Sequence, residues 1–298
     1  MLRRSLHTLA FLLLVWIIAV QAGCLSFRTS DSKWEEKLQE KGQFLQPRFI
    51  DAYDSLAQRN IHAVSIAAAD SLPVWMFVHG SPGSSDAFLH LLSDTSLSRQ
   101  YRMITVDRPG FGYSGFGKAE CSLEAQARAI KLVIDQIAPN QPVFLAGHSY
   151  GGPVVVRFAI DYPEQTAGLL LLAASVDPKL EPDTWWMPVV DNPPICWLTP
   201  KSMYTSNREI IALKKELENM MPLWQRITCP VVVQQAVNDV LVPAGNADFA
   251  KNMLDGSARV RIDSLPTGNH FFIWSKPEVV KEGMLKLVNS RQPTVNSQ

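Results

Sequence analysis

The segment Gly147-His148-Ser149-Tyr150-Gly151 sets a serine between two glycines, each two positions away. A serine hydroxyl is a weak nucleophile until a neighbouring base takes its proton, so the pattern matters only where the backbone presents it to such a base. Val143 to Ala146 before it is apolar and reads as a buried strand, and Gly152 to Asp161 after it reads as a helix. A turn this tight strains the serine backbone and crowds its neighbours. Glycine at Gly147 and Gly151 removes side chains that would collide. The Ser149 hydroxyl then stands at the carboxyl end of the sheet, where open α/β sheets bind ligands, and ahead of the positive end of a helix. The chemistry this permits is attack on an acyl carbonyl.

The elements that must position Ser149 follow from the pattern on either side. Short apolar runs rich in β-branched residues predict strands at Val74 to Val78, Met103 to Val106, Val143 to Ala146, Leu169 to Ala173, Val231 to Gln235 and Arg259 to Ile262. Several lack alternation, as strands buried on both faces of a parallel sheet do. Helical stretches lie between them at Leu123 to Ile137, Gly152 to Asp161, Ala244 to Leu254 and Pro277 to Val288. The alternation runs from Ile61 onward and predicts an α/β chain. Residues 176–228 break it. They hold a helical stretch, Arg208 to Asn219, four tryptophans (Trp185, Trp186, Trp197, Trp224) and four methionines (Met187, Met203, Met220, Met221). A long insertion of this kind is usually a functional lid.

With the elbow, four further segments resemble the α/β-hydrolase superfamily, over about Ile61 to Val288. His79-Gly80-Ser81-Pro82-Gly83, after a strand, resembles an oxyanion loop. Asp107-Arg108-Pro109-Gly110-Phe111-Gly112-Tyr113-Ser114 is similar to the family's D-x-x-G-x-G-x-S stretch. Asn238-Asp239 with Val242-Pro243, and Gly268-Asn269-His270-Phe271, resemble the acid and base turns, in the chain order Ser, Asp, His. The resemblance implies the α/β-hydrolase fold: a mostly parallel central sheet flanked by helices, with a helical lid inserted. It implies Ser149 as nucleophile, His270 as base and Asp239 as the acid that orients it. Asp177, after the strand Leu169 to Ala173, is the alternative acid. Backbone N–H groups of Ser81 and Tyr150 are the expected oxyanion donors. Elimination also reaches His270. His7 lies in the N-terminal apolar segment, His62 before the sheet, His79 in the oxyanion loop, His90 in a helix-like stretch and His148 beside the serine. Asp107 is expected to order the loop beneath the oxyanion hole. Ser114 lacks the elbow's glycines and reads as a turn residue. The mechanism calls for no metal or organic cofactor.

Composition bounds the partners. The chain has 298 residues, 47% apolar and 19% charged, so a sizeable core is available. Lys plus Arg and Asp plus Glu are 28 each, so no basic field is present to hold nucleic acid. A small neutral substrate fits. The four cysteines, Cys24, Cys121, Cys196 and Cys229, show neither zinc nor C-x-x-C spacing. The last three read as buried small apolar residues.

Arg3 and Arg4 precede the unbroken apolar run Leu9 to Val20, and the small residues Ala22 and Gly23 follow. This has the form of a secretory signal over residues 1–23. The run is shorter than the roughly 20 residues a membrane-spanning helix needs. Gln21-Ala22-Gly23-Cys24 resembles a bacterial lipobox, with Gln21 where the pattern has an aliphatic residue. It implies acylation of Cys24 and anchorage in the bacterial cell envelope. Leu25 after it, in place of Asp, permits outer-membrane sorting. Cleavage after Ala22 and an uncleaved anchor are the alternatives. Residues 24–48 then form a tether and a short helix opened by a capping box at Ser32-Lys33-Trp34-Glu35 and stopping near Gly42. The hydrolase core is expected over 49–175 and 229–298, around the lid at 176–228.

The lid's apolar residues pack chiefly on the core, with some expected to face the pocket. An apolar acyl or ester group is the substrate this suggests, and the lid has no carboxylate cluster to grip an amino terminus. The expected activity is hydrolysis of a carboxylic ester or related acyl substrate. The same triad could serve a peptidase, thioesterase, carbon–carbon bond hydrolase or acyltransferase. A non-catalytic binding lipoprotein on the same scaffold is the alternative from another class.

Overall fold

A computed structural model describes residues 2–23, 26–139, 141–254 and 260–290. Cys24, the candidate lipid-bearing residue, and Leu25 lie outside them. Eight strands form one sheet among the described residues: β1 (Arg48–Asp54), β2 (Arg59–Ile66), β3 (Val74–Val78), β4 (Arg102–Val106), β5 (Val143–His148), β6 (Thr166–Leu172), β7 (Val231–Ala236) and β8 (Val260–Leu265). Their order is β1-β2-β4-β3-β5-β6-β7-β8. β2 pairs antiparallel with both β1 and β4, and the remaining pairs are parallel. Every residue of β3, β5 and β6 is buried, which is why these strands read as continuous apolar runs.

The sheet begins earlier than Ile61. β1 alternates buried and exposed positions and carries Asp51 and Asp54, so it lacks the continuous apolar run of the central strands. His62 is accordingly inside the sheet, in β2, in register with Asp51 across the hairpin. Its Nδ1 lies 3.3 Å from the Asp51 carboxylate.

The helices named here are α1 (Leu2–Ala22), α2 (Asp31–Glu40), α3 (Leu123–Ile137), α4 (Gly151–Asp161), α5 (Lys201–Met220), α6 (Gly245–Met253) and α7 (Pro277–Ser290). One core cluster joins Ile130, Val133 and Ile134 of α3 and Val154 and Phe158 of α4 to the sheet and to Leu213, Leu217 and Trp224 of the insertion. The other joins Trp75, Phe77, Phe144 and Phe88 to Leu287 of α7 and to Trp34 and Leu38 of α2. Full burial of Leu38 contributes on the order of 2 kcal/mol, enough to hold α2 on the domain. α2 starts at Asp31 with Ser30 as its N-cap and makes no side-chain cap bond. The expected capping box at Ser32 does not form, because Ser32 already lies inside the first turn.

The 176–228 segment holds no strand. It consists of α5 and short helices at Met187–Asp191, Ile195–Leu198 and Met221–Arg226. α1 lies against it: Trp16 Nε1 donates to the Leu198 carbonyl at 3.0 Å and Gln21 Nε2 to that of Trp197 at 3.1 Å. Leu9, Phe11, Leu12 and Ile18 of α1 remain exposed. Among the described residues, no helix is long and apolar enough to cross a membrane. Cys121 and Cys196 are half-buried and Cys229 is buried. The first two are more open than expected, since each sits on or beside the half-exposed insertion.

Candidate active site

Register brings the chemistry together. Val78 at the end of β3 pairs with Gly147, and His148 at the end of β5 pairs with Leu172 of β6. The loop after β3 and the elbow after β5 therefore emerge side by side. Ser149 takes φ +54°, a left-handed conformation that costs a non-glycine residue of order 1–3 kcal/mol. The cost is borne because both sides of the turn are tied. Ser149 N–H donates to the Leu172 carbonyl at 2.9 Å, and Gly152 N–H donates to the Ser149 carbonyl at 2.9 Å. A Cβ on Gly147 would stand 2.3 Å from the Gly151 carbonyl oxygen, and one on Gly151 would stand 2.2 Å from that of Val78. The glycines are needed for close approach.

The structure places His270 and Asp239 together, from loops after β8 and β7. His270 Nδ1 lies 2.8 Å from Asp239 Oδ2. Oδ1 of Asp239 accepts N–H bonds from Leu241 and Val242 at 2.9 and 2.8 Å. Burial alone would raise the Asp239 carboxyl, but the bonds from His270, Val242 and Leu241 outweigh it and hold the group below the usual carboxylate range. The Nδ1 bond leaves Nε2 as the nitrogen that can accept a proton. Asp177 is elsewhere: its carboxylate accepts from Lys179 N–H, and its own N–H donates to Asn246.

Ser149, His270, Gly80, Ser81 and Tyr150 line one pocket of about 680 Å³, a size suited to a small organic guest. Among the described residues the Ser149 hydroxyl makes no hydrogen bond to His270, a looseness common in sites without substrate. The N–H groups of Ser81 and Tyr150 donate to no protein acceptor among the described residues.

Sequence reasoning missed much of what supports this pocket. His148 Nε2 donates to the His270 carbonyl at 3.1 Å. Burial, with the nearby His270 ring, drives His148 down to about 3, so the ring is neutral. Trp274 forms a wall, its Nε1 donating to the Ala87 carbonyl at 2.7 Å. The 176–228 insertion contributes Glu181, Pro182, Ile210 and Leu213 to the lining, and none of its four tryptophans. Trp224 is wholly buried in the core, while Trp185, Trp186 and Trp197 are exposed. Glu181, also on the wall, is hydrogen-bonded to Ser175 and raised by burial.

Beneath the loop after β3 lie Arg108 and Glu209, both fully buried and paired at 2.6 Å. The Arg108 N–H donates to His79 Nε2 at 3.0 Å, so the His79 ring proton sits on Nδ1 and donates to the Gly80 carbonyl at 2.7 Å. Burial, then Arg108, keeps His79 well below its ordinary value and neutral. Asp107 accepts N–H bonds from Ser85 at 2.6 Å and Tyr113 at 2.9 Å, tying the two loops to each other. Ser114 Oγ accepts the His62 N–H at 2.8 Å, a turn role.

A model of the alpha/beta hydrolase fold matches residues 73–197. A 2-hydroxy-6-oxononadienedioate/2-hydroxy-6-oxononatrienedioate hydrolase from Pseudomonas sp is 30% identical over 126 residues, 42% of this chain and 44% of that protein. A pimeloyl-[acyl-carrier protein] methyl ester esterase from Shewanella woodyi is 34% identical over 116 residues, 39% of this chain and 40% of the relative. The chain thus spans less than half the length of the curated relatives it matches. Among solved structures, an esterase from Rhodococcus sp. ECU1013 superposes with a TM-score of 0.62 at 18% identity, over 82% of this chain and 99% of its own. A membrane phospholipase A gives 0.64 at 17% identity, over 97% and 99%. The chain has the α/β-hydrolase fold, and residues 73–197 match the model of that fold.

Proposed function

We propose that the protein is a serine hydrolase that cleaves a carboxylic ester or a related acyl substrate through an acyl-enzyme on Ser149. The observation that carries this reading is the buried His270–Asp239 pair at 2.8 Å, opening onto the same apolar-walled pocket as Ser149. Ser149 Oγ adds to the acyl carbonyl while His270 Nε2 takes its proton. The carbonyl electron pair moves to oxygen, and the resulting oxyanion is held by the N–H groups of Ser81 and Tyr150. Collapse expels the alcohol, which leaves with the proton from His270. Water then repeats the sequence on the acyl-enzyme and releases the acid. The methyl ester esterase among the relatives and the esterase among the solved structures are in keeping with ester cleavage.

The test is turnover of p-nitrophenyl esters by protein lacking residues 1–23. An initial burst of p-nitrophenol, lost in Ser149→Ala with a roughly million-fold fall in turnover, is the expected result. Turnover that survives the substitution would remove Ser149 from the mechanism.

The N-terminal segment adds a location. The charged start, the apolar run and Gln21-Ala22-Gly23-Cys24 support export and anchorage through a lipid on Cys24. The full chain should partition into detergent-soluble envelope fractions, and Cys24→Ala should release it. Equal partitioning of both would contradict the lipid anchor.

A further inference from the structure

We propose that Glu209, carried by the lid helix α5, is a positioning residue for the oxyanion hole. This rests on the acyl-transfer reading of Ser149. The Glu209 side chain has no exposure to solvent, which is costly for a carboxylate without partners. Here it has four donor contacts. Arg108 Nη1 reaches Oε1 at 2.6 Å and Nη2 reaches Oε2 at 3.0 Å. Gln126 Nε2 reaches Oε1 at 3.0 Å, and the Ser81 hydroxyl donates to Oε2 at 2.6 Å. The lid thus grips the oxyanion loop directly, through Ser81, and indirectly, through Arg108.

The indirect grip acts on the peptide that matters. Arg108 Nη2 donates to the Gly80 carbonyl at 2.9 Å, and Nε donates to that of His79 at 2.9 Å. The Gly80 carbonyl and the Ser81 N–H belong to one peptide. That peptide is trans, since the cis bonds of the described chain are Ser81–Pro82 and Pro193–Pro194. In a trans peptide the C=O and N–H point in opposite directions. Holding the Gly80 oxygen toward Arg108 therefore turns the Ser81 N–H to the other side, where Gly80 and Ser81 line the pocket with Ser149. A Cβ on Gly80 would come within 2.9 Å of the Ser149 Cβ, so this peptide lies directly against the nucleophile.

Stability alone does not call for the pair, because well-packed apolar residues often serve a buried site as well. What Glu209 adds is direction. It fixes the planar Arg108 fork by two parallel bonds, and the fork fixes the two carbonyls. An N–H turned until its angle to the oxyanion falls toward about 120° loses much of its grip while remaining in place.

The test compares two ligands on the full-length wild type and Glu209→Gln. One is an alkyl trifluoromethyl ketone. Ser149 Oγ bonds to its carbonyl carbon, the carbonyl pair becomes an oxyanion, and the serine proton passes to His270. The other is the matching alkyl N-methyl amide, which fills the pocket without adding. Loss of one oxyanion donor costs roughly a hundred- to a thousand-fold, so misaiming one should cost about 10- to 100-fold. That loss is expected in ketone affinity and in kcat for esters, with amide affinity and KM unchanged within about twofold. A merely structural role would weaken both ligands together. Arg108→Lys keeps the charge but not the fork, and the same split is expected there. Equal ketone affinity in wild type and variants, or equal loss of both ligands, overturns the assignment of Glu209 and leaves the hydrolase reading standing. Wild type that forms no ketone adduct and turns over no ester overturns both.

Discussion

His148 donates through Nε2 to the carbonyl oxygen of His270 at 3.1 Å. The residue before the proposed nucleophile thereby holds the loop of the proposed base, and a single bond couples the two. The bond uses a neutral ring that burial, with the His270 ring beside it, has driven down to about 3 against the opposing pull of Asp239. In the unfolded chain the same ring titrates near 6.5. As pH falls below about 6.5 the unfolded state takes a proton that the folded state refuses until about 3, so His148 stabilises fully above that window and less with each step down through it. Urea midpoints measured between pH 7 and pH 4 should fall more steeply for wild type than for His148→Asn, whose amide can still donate. Identical slopes would remove His148 from the pH dependence.

Asp239 sets the tautomer of His270, and Asp239→Asn should leave the loops in place with the wrong ring nitrogen protonated. Turnover is expected to fall about ten-thousand-fold with KM little changed, the loss seen when this acid is replaced in comparable triads. Because its folded carboxyl lies below the usual range, its stabilising contribution is present above about pH 4 and lost as pH falls through the lowered value. Acid unfolding of the Asn variant should lack that component. Steady-state kinetics and acid titration followed by circular dichroism check both parts.

The elbow leaves no room at Gly147, where an added methyl would meet the backbone oxygen of Gly151 at 2.3 Å. Neither atom is the end of a flexible side chain, so strand and helix must separate. Gly147→Ala should lose about 1–3 kcal/mol of stability, as overpacked sites do, and most of its turnover. Thermal unfolding and ester turnover measured together would show it. A variant with wild-type turnover would mean that the tight turn is not required.

Ile210 of α5 lines the pocket from the lid side. Ile210→Trp fills part of that volume and should shift the preferred acyl chain of p-nitrophenyl esters toward shorter lengths. kcat/KM for the longest good substrate should drop roughly tenfold or more, the scale on which apolar pockets discriminate by size. An unchanged chain-length profile would place the acyl group elsewhere in the cavity.

Much of this architecture is legible in the residues alone. β3 is read to its exact ends, and β5 with Ser149 to within two residues, because continuous burial writes itself as an uninterrupted apolar run. β1 and β2 escape notice because exposed Asp51 and the buried polar residues Asp54 and His62 interrupt that signal. The pairing of His270 with Asp239 rather than Asp177 depends on a contact between loops 31 residues apart in sequence, which only the motif's resemblance supplied. Glu209 was out of reach. It sits in a polar helix among Arg208, Lys214 and Lys215, and no local pattern marks it as the member of that helix turned inward onto Arg108.

The central claim is that Ser149 is an activated nucleophile, and covalent labelling by a fluorophosphonate probe tests it most directly. The full-length protein should label stoichiometrically, with the adduct mapped to Ser149 and absent from Ser149→Ala. Well-folded wild type that stays unlabelled, or label that persists in the alanine variant, would contradict the account. The first outcome would favour a non-catalytic binding protein on the same scaffold.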